Sequence, residues 1–308
     1  MSVSVLAISN ANAKKIAKRG SSLSKVPLPD GKHHHTQTPD DLVPLFEDAA
    51  EARLKHLIIE GGDGTVRTVL TAMLNSYDKS QILPAVSILP RGTTNQIASN
   101  LGVKKPADIK SIFKGNYHAI AMPMVKIKSK AFKTQYGFLF STGALPYVSR
   151  FTQDKINAKG IGGGTAVIGA VVKAVTSDKT DLMPARKHRL KGKIGDRIIL
   201  NHKGAALGTV MTTLPTLILG LDPFWGKEEA PLRLTFAEAE SSKLGRNIAG
   251  LWAGKKQNRS ADGYHSHNVH KLTLRTKAPA TLDGDFLDIS GQKLRISTSR
   301  PVTFWIKK

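Results

Sequence analysis

The chain has 308 residues, 40% of them hydrophobic and 22% charged, which is typical of a globular protein and is enough for two domains. It contains no cysteine, which excludes disulfide bonds and thiolate metal sites. Its 46 Lys and Arg residues against 23 Asp and Glu residues give a formal net charge of +23, which favours an anionic partner: nucleic acid, anionic lipid or polyphosphate.

The N-terminal segment predicts a strand, a loop and a helix. No basic residue precedes the apolar run at residues 3–8, so we interpret it as a first strand and not as a signal peptide. Residues 20–35 are rich in Gly, Ser and Pro, which predicts a loop, and the three consecutive histidines His33-His34-His35 suit either a solvated loop or a strand edge. Thr38 can then cap a helix whose first turn contains proline and two acids, and that helix should run to about Arg53.

A glycine turn follows the next predicted strand. Residues 57–59 have the pattern of a short buried strand, and Gly61-Gly62-Asp63-Gly64-Thr65 comes just after it. Glycine turns at a helix N-terminus bring backbone N–H groups close to an anion. An aspartate there suits a magnesium ion that bridges to a phosphate. A helix should follow, with these apolar residues on one face: Val66, Val69, Leu70, Met73 and Leu74.

The same pattern occurs a second time. Residues 84–89 predict a strand and Pro90-Arg91-Gly92-Thr93-Thr94-Asn95 a turn, and a helix with Ile97, Ala98 and Leu101 on one side ends at Gly102. Strands that alternate with helices predict a mostly parallel sheet. Both turns should then lie at carboxyl ends of strands, where ligands bind, so we expect them to share one crevice.

Beyond Asn116, short apolar runs separated by turns predict a β-rich half. We predict one helix over residues 166–175 and strands at 125–128, 137–140, 197–200, 232–236, 271–275, 294–297 and 302–306. Residues 204–221 carry no charge, which raises the alternative of a membrane span. Threonines, glycines and Pro215 make this stretch weakly hydrophobic, so two buried strands with a turn near Pro215 are favoured.

These motifs resemble the diacylglycerol kinase catalytic family, in particular its soluble bacterial lipid kinases. Most of the resemblance lies in the two turns, which run from Gly61 to Thr65 and from Pro90 to Asn95. Thr281-Leu282-Asp283-Gly284-Asp285 is similar to a late Asp-Gly-Glu element of the family, and Asn10 with Lys14 and Lys15 is similar to its opening turn.

The resemblance implies a fold of two parts. The first is an α/β domain like that of NAD kinases, with a mostly parallel sheet, and the second is a β-sandwich-like domain. We place the nucleotide-binding catalytic domain at residues 1–117 and the lipid-substrate domain at residues 118–299, with the site between them. The strand near residues 300–308 is a candidate to return to the first domain.

The resemblance also implies the residues of the site. Asp63 would hold a magnesium ion, and Asp63 and Asp285 would be catalytic. Asp285 takes the position of the general base, which accepts the proton of the lipid hydroxyl. The ATP phosphates and the rest of the nucleotide would be bound by Asn10, Thr36, Gly61, Gly62, Asp63, Gly64, Thr65, Gly92, Thr93, Thr94 and Asn95.

Several positions depart from the family pattern. Arg67 and Thr68 stand where the family usually has asparagine and glutamate, and Gln96 replaces an acid. Asp285 is one methylene shorter than the usual glutamate base. Because Asp-Gly is a common hairpin dipeptide, Asp283-Gly284-Asp285 is also open to a purely structural interpretation. We assign no structural magnesium site near residues 232–234, which lack the acidic loop of the family.

The resemblance, which the positive charge fits, implies an ATP- and magnesium-dependent lipid kinase that converts diacylglycerol to phosphatidic acid. Two alternatives stay open: a catalytically weak protein of the same fold that binds nucleotide and anionic lipid, and a NAD kinase-like enzyme. We expect a cytoplasmic protein that binds peripherally to an anionic membrane surface. Aromatic residues make up 6% of the chain and do not alternate with basic ones, so no specific nucleic acid partner is expected; a homodimer stays open.

Overall fold

The computed structural model of the protein describes residues 4–10, 16, 20–28, 30–92, 95–103, 109–144, 146, 185–217, 221–241, 260–289 and 291–308. The chain divides into two compact units, Met1–Met124 together with Arg300–Lys308, and Val125–Ser299. Each unit contains its own sheet. The helix predicted over residues 166–175 lies outside the described residues.

The first unit alternates strands with helices. Short 3-10 helices cover Ser22–Lys25 and Pro39–Asp41. The longer elements are β1 (Val5–Asn10), β2 (Gly31–Thr36), α1 (Leu42–Glu51), β3 (His56–Gly61), α2 (Asp63–Ser76), β4 (Ala85–Pro90), α3 (Gln96–Asn100), α4 (Ile109–Phe113) and β5 (Tyr117–Met122). In α2 the buried residues are the five apolar residues that the sequence places on one face.

The sheet of the first unit has the strand order β2-β1-β3-β4-β17-β5, in which β17 (Val302–Lys307) comes from the far end of the chain. Strands β1 to β4 and β17 pair in parallel, and β5 is antiparallel to β17. The whole of β3 is buried, as expected for a central strand of a parallel sheet. This arrangement confirms the predicted α/β class with a mostly parallel sheet.

The second unit is antiparallel and β-rich. Its described strands are β6 (Val125–Lys128), β7 (Gln135–Gly137), β8 (Leu139–Gly143), β9 (Arg186–Ile194), β10 (Arg197–Thr212), β11 (Leu232–Glu238), β12 (Tyr264–Val269), β13 (Lys271–Thr276), β14 (Ala280–Leu282), β15 (Asp285–Leu287) and β16 (Lys293–Thr298). The main strand order is β15-β14-β8-β10-β9-β13-β16-β6-β7, and β11 joins β10 to β12. Alternate residues of these strands, among them Phe140, Leu234 and Leu274, form one core.

The second half of the loop predicted over residues 20–35 is a strand, which for His33-His34-His35 agrees with the alternative of a strand edge. Residues Gly31–Thr36 form β2, an edge strand that pairs in parallel with β1. This strand contains three consecutive histidines and no apolar residue, so its own pattern gives no strand signal. Pairing with β1 is what makes the segment extended.

The uncharged stretch at residues 204–221 is also different from the prediction. Its first part belongs to the long strand β10, which ends at Thr212. The described residues 213–217 and 221–231 contain no strand, so the predicted second strand after Pro215 is not found there. No helix in the described part of the chain has the length and hydropathy needed to span a bilayer.

Candidate functional site

The carboxyl ends of four adjacent parallel strands meet at one edge of the first sheet. Asn10 ends β1, Thr36 ends β2, Gly61 ends β3 and Pro90 ends β4. In the strand register Asn10 pairs with Thr36, and Gly61 pairs with Pro90. Because ligands of open α/β sheets bind at this edge, the structure brings residues from both predicted motifs to a favourable place.

The first turn leads from β3 straight into α2. Gly62 is the N-cap residue, its backbone is extended, and no side-chain hydrogen bond caps the helix. The N–H groups of Asp63, Gly64 and Thr65 precede the first backbone bond of the helix, in which Val66 N donates to Gly62 O at 3.0 Å. Such N–H groups and the positive end of a helix dipole together attract anions.

The two turns touch backbone to backbone. A Cβ on Gly92 would lie 2.7 Å from the Cα of Gly62, and a Cβ on Gly62 would lie 3.0 Å from the Cα of Gly92. Glycine is therefore required at position 92 and strongly favoured at position 62. In addition, Arg91 N donates to Gly61 O at 2.8 Å, so the start of the second turn is bonded to the end of the first.

Asn10 and Thr65 connect β1 to the start of α2. The Nδ2 of Asn10 donates to the Oγ1 of Thr65 at 3.1 Å. Gly61 leaves room for this threonine, because a Cβ at Gly61 would lie 2.5 Å from the Cβ of Thr65. Thr36 is buried on β2, opposite Asn10. Four residues from three strands and a helix are thus neighbours around the first turn.

The second turn is closed by its own asparagine. Asn95 has a left-handed backbone, with φ 49° and ψ 43°, which asparagine adopts more readily than most residues. Its Oδ1 accepts from Gly92 N at 2.8 Å, and its Nδ2 donates to Gly92 O at 2.9 Å. Thr93 and Thr94, which the sequence assigns to nucleotide binding, lie outside the described residues.

Asp63 joins the two turns. Its Oδ2 accepts from Gln96 N at 2.9 Å and its Oδ1 from Ile97 N at 3.0 Å, so the first residue of α2 caps the start of α3. Burial raises the pKa of Asp63, and hydrogen bonds from Ile97, Gln96 and Asn95 offset part of that rise. Each oxygen keeps a second lone pair, so capping is compatible with magnesium binding, which stays a prediction.

Glu60 is a fully buried acid next to the first turn, and the sequence patterns do not assign it to the site. The carboxylate accepts from Ser21 Oγ at 2.5 Å, from Ser22 Oγ at 2.6 Å and from Arg91 Nε at 2.9 Å. Burial acts to raise the pKa of Glu60, but these hydrogen bonds outweigh it and hold the pKa below its usual value. The sequence did contain a signal for this residue, namely an acid at the end of an apolar strand. Because a buried charge needs partners, such an acid indicates a polar network nearby.

The late acidic element is a hairpin in the second unit. Asp283 and Gly284 have φ values of 52° and 90° and form the two-residue connection between β14 and β15. Both oxygens of Asp283 accept from backbone N–H groups, at 2.7 Å from Leu139 and at 2.9 and 3.1 Å from Phe138. Asp283 therefore stabilises the hairpin. Asp285 is exposed at the start of β15, and its role as a general base stays a prediction.

The part of the chain that contains both turns matches a known protein family. Residues 6–125 match the family model of the diacylglycerol kinase catalytic domain. The resemblance seen in the two turns is confirmed. The chain is also 25% identical to "Probable lipid kinase YegS" of Salmonella dublin over 261 residues, which cover 81% of this chain and 77% of that protein. The protein of the same name from Salmonella arizonae is 24% identical over 258 residues.

Solved structures show that the fold is shared over the full length. A diacylglycerol kinase from Bacillus anthracis str. Sterne has a TM-score of 0.60 at 15% identity, over 99% of this chain and 97% of that chain. A second structure from the same strain gives a TM-score of 0.67 at 19% identity, with the same coverage. These identities show likeness of fold, and they confirm the predicted order of an α/β half and a β-rich half.

Proposed function

We propose that the protein is an ATP- and magnesium-dependent lipid kinase with diacylglycerol as substrate and phosphatidic acid as product. The observation that supports it most is the contact between Gly62 and Gly92 at the uncapped N-terminus of α2. This contact supports an anion site, because it lies beside the unpaired N–H groups of a helix N-terminus, at the strand edge where α/β proteins bind ligands. The matched family adds phosphoryl transfer as the chemistry for such a site.

The first turn would hold the transferring end of the nucleotide. Phosphoryl transfer depends on positioning and on stabilising charge at the γ-phosphoryl oxygens. The N–H groups of Gly64 and Thr65 would donate hydrogen bonds to these oxygens. Asn10 orients the Thr65 hydroxyl. When bound, magnesium neutralises charge on the phosphoryl oxygens. Asp63 suits it, because kinase magnesium sites use one or two carboxylates together with phosphate oxygens.

Asp285 would receive the proton of the lipid hydroxyl. Of the two acids at the hairpin, Asp283 is bonded to backbone N–H groups, whereas Asp285 is exposed. A general base needs a carboxylate that a substrate can reach, and Asp285 meets that requirement.

Transfer of labelled phosphate from ATP to diacylglycerol in mixed micelles tests the proposal. The wild-type protein should form labelled phosphatidic acid only in the presence of magnesium. Asp285→Asn should bind ATP as the wild type does in calorimetry, and its turnover should fall by a factor of about 100 or more. Asp288→Asn, which changes an exposed acid three residues away, should leave turnover unchanged.

Other outcomes would favour the alternatives. Tight ATP binding without transfer to diacylglycerol, a sphingoid base or a polyprenol would indicate a nucleotide-binding protein that is catalytically weak. Phosphorylation of NAD in place of lipid would indicate a NAD kinase-like enzyme. Undiminished turnover in Asp285→Asn would remove this residue from the mechanism.

We also propose that the protein acts in the cytoplasm and binds peripherally to membranes. The net charge of +23 supports this, since anionic leaflets attract basic surfaces. A homodimer stays a prediction, which light scattering of the purified protein would test.

A further inference from the structure

Four adjacent strands of the second unit have a basic outer face. Strands β9, β13, β16 and β6 are neighbours in that order, and basic and apolar residues alternate along them. The apolar residues, among them Leu190, Leu274, Ile296 and Ile127, belong to the core of this unit. Because successive side chains point to opposite faces of a sheet, the basic residues that alternate with these apolar residues lie on the other face.

The strand register aligns these residues in rows. Arg189, Arg275 and Lys293 lie opposite one another on β9, β13 and β16. The next two rows are Lys191-Thr273-Arg295-Lys128 and Lys193-Lys271-Ser297-Lys126. We name the nine cations the cationic face: Lys126, Lys128, Arg189, Lys191, Lys193, Lys271, Arg275, Lys293 and Arg295.

The cationic face is unfavourable for the free protein. The four strands contain no Asp or Glu residue. Like charges directly opposite one another destabilise a sheet, and Arg275 lies between Arg189 and Lys293. An anionic partner would neutralise these charges and remove the repulsion. The cationic face is therefore suited to binding an anionic partner.

A recess of about 490 Å³ opens beside this face. Its lining includes Lys128, Arg275, Lys293 and Arg295 of the cationic face and the neighbouring Lys130, with hydroxyl and amide side chains between them. Arg, Lys and hydroxyl groups are the donors that bind phosphate oxygens. The volume is within the range of small-molecule sites and suits one phosphorylated headgroup.

An anionic bilayer is the partner that best fits this geometry. A bilayer presents phosphates in two dimensions, and the cationic face presents rows of charge across strands about 4.8 Å apart. A duplex is read by a helix or a ribbon inserted in a groove, and the cationic face is the broad side of a sheet. Single strands stack on aromatic rings, and these four strands contain no Phe, Tyr or Trp.

We propose that the cationic face is a docking surface for bilayers that contain anionic phospholipid, and that the recess takes a lipid phosphate headgroup. The face lies within the second unit and uses none of the residues around the two glycine turns. Docking therefore needs neither nucleotide nor turnover, and its test is independent of the lipid kinase proposal.

Co-sedimentation of the full chain with vesicles tests the proposal. Vesicles of phosphatidylcholine alone are compared with vesicles in which phosphatidylglycerol replaces part of it. Each basic residue near an anionic surface strengthens binding roughly fivefold, so the triple variant Arg275→Gln/Lys293→Gln/Arg295→Gln should bind phosphatidylglycerol vesicles roughly 100-fold more weakly than the wild type. Wild-type binding should also be absent with phosphatidylcholine alone.

A second triple variant provides the matched control. Lys55→Gln/Lys79→Gln/Lys114→Gln removes the same charge from exposed lysines of the first unit and should bind as the wild type does. Equal loss in both triple variants would show that net charge alone attracts the protein and would overturn the proposal. If the first triple variant does not fold, Arg295→Gln alone, with an expected fivefold loss, decides the question in the same assay.

Nucleic acid binding is the competing outcome. Anisotropy of a labelled duplex is measured in the same buffer with the wild type and with both triple variants. Weaker binding to the duplex than to phosphatidylglycerol vesicles supports the bilayer. Tighter binding to the duplex, lost in the variant of the cationic face, would overturn the bilayer proposal in favour of nucleic acid.

Discussion

Two regions of this protein are suited to anions, and they achieve it by different means. At the edge of the first sheet, two glycine turns in contact present backbone N–H groups, and Asp63 and Asn95 fix their geometry. In the second unit, nine side chains spread over four strands present charge. A backbone site depends on exact packing, whereas a side-chain surface depends on the sum of many weak contributions. Substitutions should therefore act strongly in the first region and weakly in the second.

The largest effect is expected for Glu60→Ala at the first turn. Removal of this buried carboxylate leaves the Arg91 guanidinium without its ion pair and two serine hydroxyls without an acceptor. Loss of one partner of a buried ion pair typically lowers stability by several kcal/mol, and we expect about 4 kcal/mol in urea unfolding. Glu51→Ala, at the exposed end of α1, should change stability by less than about 0.5 kcal/mol. A loss below about 1 kcal/mol for Glu60→Ala would contradict this role.

The stability of the first unit should depend on pH through the protonation of His56. Burial lowers the pKa of this histidine from 6.5 to about 4. Between those values the unfolded state binds more protons than the folded state, so stability falls as pH decreases through this window, by about 3 kcal/mol. Urea unfolding at a series of pH values measures this slope. His56→Gln should lack it, and equal slopes in the two proteins would refute the assignment.

Gly92→Ala should separate the two turns. The added Cβ would lie 2.7 Å from the Cα of Gly62, and such overpacking lowers stability by about 2 kcal/mol. ATP binding, measured by calorimetry, should be lost. Gly195→Ala is the control: its φ is +55° and no atom lies within 4 Å of the new Cβ, so only backbone strain of about 1 kcal/mol is expected. Unchanged ATP binding in Gly92→Ala would show that the contact is not needed.

The smallest effect is expected for Arg275→Thr, and it has opposite signs for folding and for docking. Removal of a charge between Arg189 and Lys293 should stabilise the free protein by about 0.5 kcal/mol. The same variant should bind phosphatidylglycerol vesicles roughly fivefold more weakly. Lys79→Thr should alter neither property. A variant with lower stability and unchanged vesicle binding would speak against the cationic face.

The elements that could be predicted from the sequence are those whose local residue pattern determines their structure. The five apolar residues of α2 recur at helical spacing, and both glycine turns stand between an apolar strand and a helix, so these elements could be predicted. Alternation of strands and helices then gave the parallel sheet. In contrast, β2 has no apolar residue, and only its pairing with β1 makes it a strand.

Strand register is the second feature that could not be predicted from the sequence, both at the candidate site and at the cationic face. Alternation at Lys126 and Lys128 is visible in the sequence, but the rows of the cationic face depend on which residues of four distant segments lie opposite one another. The same holds for the hairpin acids, because only long-range contacts with Phe138 and Leu139 distinguish Asp283 from Asp285. Periodicity within one segment contains no information about such pairings.

Strand β17 determines when the sheet of the first unit can be completed during translation. This strand fills the place between β4 and β5, and Ser87 Oγ donates to Trp305 O at 3.0 Å. The sheet of the first unit is therefore incomplete until residue 307 has been synthesised, whereas the second unit is a continuous segment that is available earlier. Domains commonly fold in the order of synthesis, N-terminal first. In this protein the half that is translated first is the last for which all strands are available.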